Sequence, residues 1–372
     1  ARSCGGQAMM GWALATALAL STPAGDLVPP DSAQVMAVPP ELKALVQERV
    51  NASSPSQLQR LRRLMELMSI SPDGLNLQYN DQATQTVEQA YASRQANCLT
   101  YTLVFLALAR EAGLDAHPQE IEETLAWQQR DDIVYRSNHA NAAVRIAGRR
   151  FVIDVGSRFV IARHPARAIS ERRLLAQYYN NRAAQLMSLG ELPAALAHAR
   201  IAIELDPTYP TTWSNTGVLR LHSGDIGGAE QAYKTALSLA PGHSSALFNL
   251  VSLYKRTGDH KREIQFRRQL DKVQSQDPFH QFLLAAELEN KGEYAQAIQH
   301  YKRAIRLHGG EHRFYYGLAR AYAQSGSAAR ARRALERALV LASDKDKAED
   351  ADEATLAQYR TMLDDLRMTG GL

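Results

Sequence analysis

A glycine recurs every 34 residues through the second half of this 372-residue chain, and this spacing constrains the fold more than any other feature. The five positions are Gly190, Gly224, Gly258, Gly292 and Gly326. A fixed period of this length predicts stacked pairs of helices, because one pair cannot bury its apolar face alone. Glycine in the turn within each pair allows a left-handed backbone. The second half is therefore predicted to be an all-α solenoid.

Two columns of mostly small residues keep the same period. Five residues after the glycines stand Ala195, Ala229, Glu263, Ala297 and Ala331. Twelve residues after the same glycines stand Ala202, Ala236, Leu270, Ala304 and Ala338. Small side chains at these points allow neighbouring helices to pack closely.

Together these columns resemble the tetratricopeptide repeat (TPR). The second unit carries most of the motif, as Trp213, Gly217, Gly224, Ala229, Tyr233, Ala236 and Pro241. The third unit departs from it at Glu263 and Leu270. The resemblance implies five TPR units over residues 177–343. The acidic segment 344–372 is then expected to form a polar capping helix or tail.

Such arrays usually bind proteins or peptides in a concave groove lined by the first helix of each unit. The resemblance places one column of side chains in the groove, with basic residues nearby. The column is Asn180, Ser214, Phe248, Phe282 and Tyr316, and the basic residues are Arg256, Arg313 and Arg320. An aromatic and basic groove suits an extended or acidic peptide. The alternative is that the basic residues form a solvated face.

The first half contains one thiol in a suggestive position. The chain has only two cysteines, Cys4 and Cys98, too few for a disulfide scaffold or an all-cysteine zinc site. Cys98 opens the apolar run 99–112, which is predicted to be a buried helix. Unpaired N–H groups and the macrodipole at a helix start favour thiolate, the nucleophilic form. The alternative is a structural cysteine that behaves as a small hydrophobe.

A predicted hairpin supplies two possible partners for this thiol. Residues 139–146 and 149–155 are predicted strands, joined by a turn at Ala147-Gly148. With a two-residue turn, Asp154 shares a sheet face with His139, one diagonal step away, which is about 7–8 Å between Cα atoms. A three-residue turn would put Asp154 on the other face. The register of this hairpin therefore decides whether the two side chains can meet.

These residues resemble a known family in that order. Residues 95–116 are similar to the nucleophile helix of the transglutaminase-like superfamily, and Asn138-His139 and residues 151–154 are similar to its His and Asp strands. The gap from Cys98 to His139 is 41 residues, shorter than the roughly 130–150 of papain itself. The resemblance implies an α+β (papain-like) domain over residues 41–170. Ala96 stands where relatives often carry glycine.

The resemblance implies catalytic roles for Cys98, His139 and Asp154 in thiol-dependent acyl transfer. Cys98 would attack a carbonyl, His139 would move the proton, and Asp154 would orient the imidazole. The Cys98 N–H and one side chain, Gln95 or Tyr91, are the candidates for binding the oxyanion. Water as second nucleophile gives a cysteine peptidase or amidase, and an amine gives a transamidase.

Two functions remain open from the sequence. In the first, this is an acyl-transfer enzyme acting on a protein or peptide recruited by the TPR groove. In the second, it is a catalytically silent TPR adaptor or scaffold for protein–protein interactions.

The sequence disfavours several other classes of protein. A net charge of +4 without clustering does not suit a nucleic-acid binder. HExxH, Walker A and GxGxxG motifs are lacking, so we expect no metal and no cofactor. No apolar run reaches the roughly 20 residues of a membrane span, which predicts no transmembrane span in the mature chain.

The N-terminus predicts a targeting signal. Residues 8–20 form an apolar run followed by small residues, so residues 1–24 are interpreted as a signal peptide. The proline-containing segment 25–40 is interpreted as a linker. The protein is then expected to be secreted or periplasmic, or cytoplasmic if the signal interpretation is wrong.

Overall fold

The computed structural model describes residues 27–52, 56–127, 134–154, 160–162, 164–343 and 353–369. The predicted signal peptide, residues 1–24, lies outside this part of the chain. Of the helices in the described ranges, none combines the length and apolar character that a membrane crossing requires.

The N-terminal part mixes helices and strands, as an α+β arrangement requires. Its helices are α1 (Ser32–Val35), α2 (Pro40–Val46, continued by a π-helical turn at Gln47–Asn51), α3 (Gln57–Leu67), α4 (Val87–Ser93) and α5 (Cys98–Glu111). Its strands are β1 (Gln78–Tyr79), β2 (Gln95–Ala96), β3 (Ala116–Trp127), β4 (Val134–Ile146), β5 (Arg149–Ile153), β6 (Val160–Ala162) and β7 (Arg167–Ala168).

The larger sheet is antiparallel, in the order β5-β4-β3-β6, with β7 also paired to β3. Ile146 pairs with Arg149, which confirms the predicted two-residue turn. Ala147 has φ of 48° and Gly148 has φ of 78°, so both turn residues are left-handed. Two-residue hairpin turns of this type match the twist of the flanking strands.

Helix α5 is the centre of the N-terminal core. Nearly all of its side chains are buried, including Leu103, Phe105 and Leu108, and it packs against β4 and β3. A helix that is apolar on every side has no face to turn to water, so other elements must surround it. The residues that begin α5 are consequently fixed relative to the sheet.

The predicted linker, residues 25–40, differs from a free tether where the structure describes it. Val35 in α1 is fully buried in the N-terminal core. Asp31 caps α1, because its carboxylate accepts from the Gln34 N–H at 2.7 Å. Tyr179 of the solenoid donates its hydroxyl to the Pro30 carbonyl at 2.6 Å. These contacts bind the segment to both parts of the molecule.

Five helix pairs follow, in agreement with the predicted solenoid. They are α6 (Glu171–Ser188) with α7 (Leu192–Leu205), α8 (Pro210–His222) with α9 (Ile226–Leu239), α10 (Ser244–Thr257) with α11 (His260–Ser275), α12 (Pro278–Asn290) with α13 (Tyr294–Leu307), and α14 (His312–Gln324) with α15 (Ala328–Ala342). Helix α6 begins at Glu171, before the predicted first repeat unit, and Ser170 caps it.

The glycines and alanines of the repeat have the predicted roles. All five turn glycines have φ between 76° and 84°. The alanines of both columns are buried. In the third unit the departures are accommodated: Leu270 is buried, and Glu263 pairs with Arg267 at 2.9 Å.

Both ends of the solenoid are covered. At the C-terminus, α16 (Glu353–Thr369) buries Tyr359 and Leu363. Tyr359 stacks on Tyr316 with ring centroids 4.4 Å apart, and its hydroxyl lies 2.9 Å from His312 Nδ1. At the N-terminal end, Tyr178 and Tyr179 of α6 belong to the same core as α5, so the N-terminal part covers the first repeat.

Substituting Gly217 with alanine should destabilise the array. A Cβ there would lie 2.4 Å from Cε1 of the buried Tyr233. Overpacking of this kind costs about 1–3 kcal/mol. We expect a lower midpoint of urea unfolding, followed by circular dichroism.

Gly227→Ala in the adjoining helix is the matched control. A Cβ at Gly227 meets nothing within 4 Å, so this change should be neutral or stabilise by up to about 1 kcal/mol. Equal effects of the two substitutions would contradict the close contact between α8 and Tyr233.

Candidate active site

Hydrogen bonds from neighbouring residues hold the first turn of α5, where the thiol lies. Asn97 is the N-cap, and its side chain accepts a hydrogen bond from the Thr100 N–H at 2.9 Å. The Asn97 amide also donates to Thr84 Oγ1 at 2.8 Å. Cys98 is the first helical residue, and its N–H has no acceptor within its own helix. The thiol therefore stands at a well-held helix start.

His139 and Asp154 meet across the hairpin. His139 Nε2 lies 2.7 Å from Asp154 Oδ1, and the imidazole is buried. Asn141 donates its amide to the other oxygen, Asp154 Oδ2, at 3.0 Å. Both carboxylate oxygens are thus engaged, and the carboxylate is aimed at the ring. The predicted register, with Asp154 on the face of His139, produces this contact.

Cys98 completes the cluster. Its side chain interacts with the His139 imidazole and with the backbone of Ala140. Because Nε2 of His139 faces Asp154, Nδ1 is the ring nitrogen that remains for the thiol. Residues from one helix and two strands, the three predicted from the sequence, therefore lie side by side.

Thr102 and Asn141 support this arrangement, although sequence reasoning missed them both. The Thr102 hydroxyl contacts the Cys98 carbonyl at 2.8 Å and the Ala140 carbonyl at 3.2 Å, so it ties α5 to β4. Asn141 follows His139 by two residues and therefore shares its face. That spacing could have identified Asn141, whereas the role of Thr102 depends on how the helix docks.

The electrostatics favour an ion pair between sulfur and imidazole. Burial raises the pKa of the Cys98 thiol, but the hydrogen bond and charge of His139 outweigh it, and the net pKa falls below its ordinary value. Burial lowers the pKa of His139, whereas its interactions as a donor to Asp154 and Cys98 raise the pKa to about 10. The thiolate and the imidazolium thus stabilise each other.

The two predicted oxyanion side chains are engaged with other neighbours. Gln95 is exposed, and its amide oxygen accepts from Asn80 at 2.7 Å. The guanidinium of Arg94 lies over the Tyr91 ring at 4.4 Å. Tyr91 is half-buried against the N-terminal core, whereas Gln95 is exposed, so only Gln95 lies at the surface around β2.

Tyr79 is a closer phenol that the sequence did not indicate. It pairs with Ala96, two residues before Cys98, through the parallel contact of β1 with β2. Burial and the nearby charges of Cys98, Asp81 and Asp154 raise the Tyr79 pKa to about 12. The phenol therefore stays protonated at neutral pH and can donate a hydrogen bond beside the thiol.

A buried ion-pair network connects this site to the solenoid. Glu120 pairs with Ala140 in the β3–β4 register, beside His139. Its carboxylate lies 3.3 Å from the guanidinium of Arg173 in α6, and that guanidinium binds Asp206 at 2.8 Å. The first repeat helix is thus anchored directly to the sheet that carries the imidazole.

The predicted groove column is only partly open, which corrects the expectation for two of its members. Asn180 and Ser214 are buried, because each contacts an asparagine of the following unit. Phe248 is 58% exposed. Arg256 is also exposed.

The remaining predicted groove residues surround one cavity of about 280 Å³. This groove cavity is lined by Phe282, Arg313, Tyr316, Arg320 and Tyr359. Its two arginines already have acidic partners, since Arg320 lies 2.9 Å from Glu289 and Arg313 lies 3.5 Å from Glu311. The cavity is therefore aromatic, with largely compensated charge.

The described residues contain no group of three or more His, Cys, Asp or Glu side chains arranged to hold a metal ion.

Comparison with known families identifies the repeats. Residues 215–278 and residues 290–354 each match a family model described as tetratricopeptide repeat. Among curated proteins, the tetratricopeptide repeat-containing protein trd-1 of Caenorhabditis elegans is 29% identical over 113 residues. That match covers 30% of this chain and only 14% of the length of trd-1. The TPR prediction is therefore confirmed for this region.

Solved structures that are similar to this chain include those of YrrB and MamA. One is the structure of YrrB, described as a TPR protein with an unusual peptide-binding site. Its sequence is 22% identical to this chain, and the match covers 47% of this chain and 91% of YrrB, with a TM-score of 0.25. A MamA structure is 19% identical, covering 47% of this chain and 96% of that chain, with a TM-score of 0.27. The assignment of the repeats rests on the family models.

These findings bear unequally on the two functions left open by the sequence. TPR repeats support a protein-interaction role, so they favour the adaptor alternative over the enzymatic interpretation. The transglutaminase-like resemblance and its peptidase or hydrolase activity stay predictions.

The ionisation of Cys98 can be measured by its alkylation rate. In a Cys4→Ser background, we expect the iodoacetamide rate of Cys98 to titrate with a midpoint below the ordinary thiol value of 9.0. Because thiolate is the reactive form, substantial reactivity should persist as the pH falls below that value.

His139→Ala removes the stabilising cation while leaving the thiol partly enclosed. In this variant the midpoint of the Cys98 alkylation curve should therefore rise to the ordinary thiol pKa or above. Identical titration curves for the two proteins would contradict the thiolate–imidazolium pair.

Proposed function

We propose that this chain is a protein-interaction adaptor whose TPR array recruits a protein or peptide partner through the first helices of its units. The matched repeats carry this proposal. The groove cavity, with three aromatic side chains and two arginines, supports it, because aromatic and arginine residues dominate protein-binding surfaces.

Phe248 offers the sharpest test of this recruitment. It is the most exposed aromatic of the predicted groove column and projects from α10, the first helix of the third unit. The partner is first identified by cross-linking in native cells. Phe248→Ser should then weaken the affinity for this partner about tenfold, because aromatic anchors that become buried contribute most of the binding energy. Isothermal titration with the purified partner gives the affinity.

Ile264→Ser is the matched control, because Ile264 is 52% exposed on α11, the second helix of the same unit. It should leave the affinity unchanged. Equal loss in both variants would contradict binding along the first helices.

A second function, thiol-dependent acyl transfer, is favoured by one specific observation: the Cys98 thiol interacts with the buried His139 imidazole, whose Nε2 lies 2.7 Å from Asp154 Oδ1. A silent adaptor has no need of a buried imidazole held between a thiol and a carboxylate. The resemblance to the transglutaminase-like superfamily adds support. In this proposal the recruited protein or peptide is the substrate.

The reaction would proceed in two steps. The Cys98 thiolate attacks an amide carbonyl, and the Cys98 N–H and the Tyr79 phenol are candidate donors for the oxyanion. As the C–N bond breaks, His139 gives its proton to the leaving amine, which leaves a thioester on Cys98. His139 then accepts a proton from the second nucleophile as the thioester bond breaks. Water completes a peptidase or amidase reaction, and an amine completes a transamidase reaction.

Asp154 and Asn141 would act on the imidazole and not on the substrate. The carboxylate holds the ring with Nε2 toward itself, which leaves Nδ1 for the proton exchange with the sulfur. Asn141 fixes the second carboxylate oxygen and thereby the orientation of the acid. The predicted signal peptide supports a secreted or periplasmic location for this chemistry.

A thioester trap separates the two functions. Wild-type protein is mixed with native extract, quenched in acid and digested, and Cys98 peptides are searched for hydroxylamine-sensitive acyl adducts by mass spectrometry. If the chain is an acyl-transfer enzyme, an adduct should form at Cys98. His139→Ala should lower the rate of its formation by about 10²–10⁴-fold.

Cys4→Ala is the control that should retain the adduct, and Cys98→Ala should abolish it. If wild-type protein forms no adduct and binds the same partners as Cys98→Ala, acyl transfer is excluded and the adaptor function alone remains.

A further inference from the structure

A second cleft lies on the face of α14 opposite the groove cavity. It has a volume of about 390 Å³ and lies between α13, α14 and α15. Four cations surround it: Lys302, Arg330, Arg333 and Arg337. Tyr315 and Tyr322 form part of its floor, and we refer to these six residues as the basic cleft.

The charge of the basic cleft is uncompensated within the described part of the chain. Its lining includes no acidic residue. None of its four cations forms a salt bridge with a described residue, whereas neighbouring Arg332 pairs with Glu336. This differs from the groove cavity, where Glu289 and Glu311 already neutralise the arginines.

The cations are also held close together. Arg330, Arg333 and Arg337 follow one another at intervals of three and four residues, so they share a face of α15. Arg330 and Lys302 both lie near the Tyr322 ring, 5.9 Å and 5.6 Å from its centroid. Like charges at this spacing repel one another, and an anionic ligand would relieve the repulsion.

The side-chain chemistry specifies the anion. Three of the four cations are arginines, whose planar forks bind carboxylates through two parallel hydrogen bonds. The tyrosine floor offers apolar contact to the carbon chain between such carboxylates. The cleft is confined to two units, which fits a short segment of polypeptide.

We propose that the basic cleft binds an acidic segment of a partner protein. This site is separate from the groove cavity, so one partner can occupy both, or two partners can bind together. It also goes beyond the predicted groove, where Arg313 and Arg320 are already paired with glutamates.

The test uses the full chain and fluorescein-labelled octaglutamate as probe, with octalysine as the probe of opposite charge. Fluorescence anisotropy should detect octaglutamate binding that weakens as salt increases, because the attraction is between charges. The triple variant Arg330→Gln/Arg333→Gln/Arg337→Gln should bind octaglutamate at least about tenfold more weakly.

The triple variant Arg332→Gln/Arg360→Gln/Arg367→Gln is matched in charge and in its position near the C-terminus. Each of these arginines has an acidic neighbour within 4.0 Å, at Glu336, Glu353 and Asp364. It should change octaglutamate affinity less than about twofold. Circular dichroism melting curves must be alike for both triple variants.

Three results would overturn the proposal: no octaglutamate binding by the wild-type chain, equal losses in the two triple variants, or equal affinity for octaglutamate and single-stranded DNA. The Phe248→Ser variant should retain octaglutamate binding. Loss of the groove function and loss of the cleft function are thereby distinguished.

Discussion

The need to cover apolar surface at both ends of the solenoid governs this molecule. No helix pair can bury its own faces, so the first and last pairs require partners that are not repeats. At the C-terminus, α16 buries Tyr359 and Leu363. At the other end, α6 packs into the core formed around α5. The candidate site is thus part of the structure that covers the first repeat, and Arg173 connects the two through Glu120.

Two surfaces of the array differ in whether their arginines are paired with acidic residues. Inside the groove cavity, Arg313 and Arg320 are paired with glutamates, so aromatic contacts would supply most of the affinity for the partner proposed there. In the basic cleft the arginines have no such partners among the described residues, so the cleft suits an anionic partner. Opposite faces of α14 therefore differ in how far their charge is compensated.

Much of the site could be predicted because it depends on local rules. The Ala147-Gly148 turn fixes the register that brings Asp154 to His139, and the polar residue before the apolar run fixes where α5 begins. Thr102 and Tyr79 could not be found in this way. Their roles depend on how α5 docks on β4 and on the pairing of β1 with β2, which join residues distant in the sequence.

By itself the sequence determined the repeat, its turns and the order of the thiol, imidazole and carboxylate, because glycine conformation, small-residue spacing and hairpin register act over short distances. Only the tertiary structure decided which polar groups are compensated. Asn180 and Ser214 are covered by the following units, Arg320 is paired with Glu289, and Val35 is drawn into the N-terminal core. Burial and ion pairing depend on elements brought together by packing, and a linear pattern does not specify those neighbours.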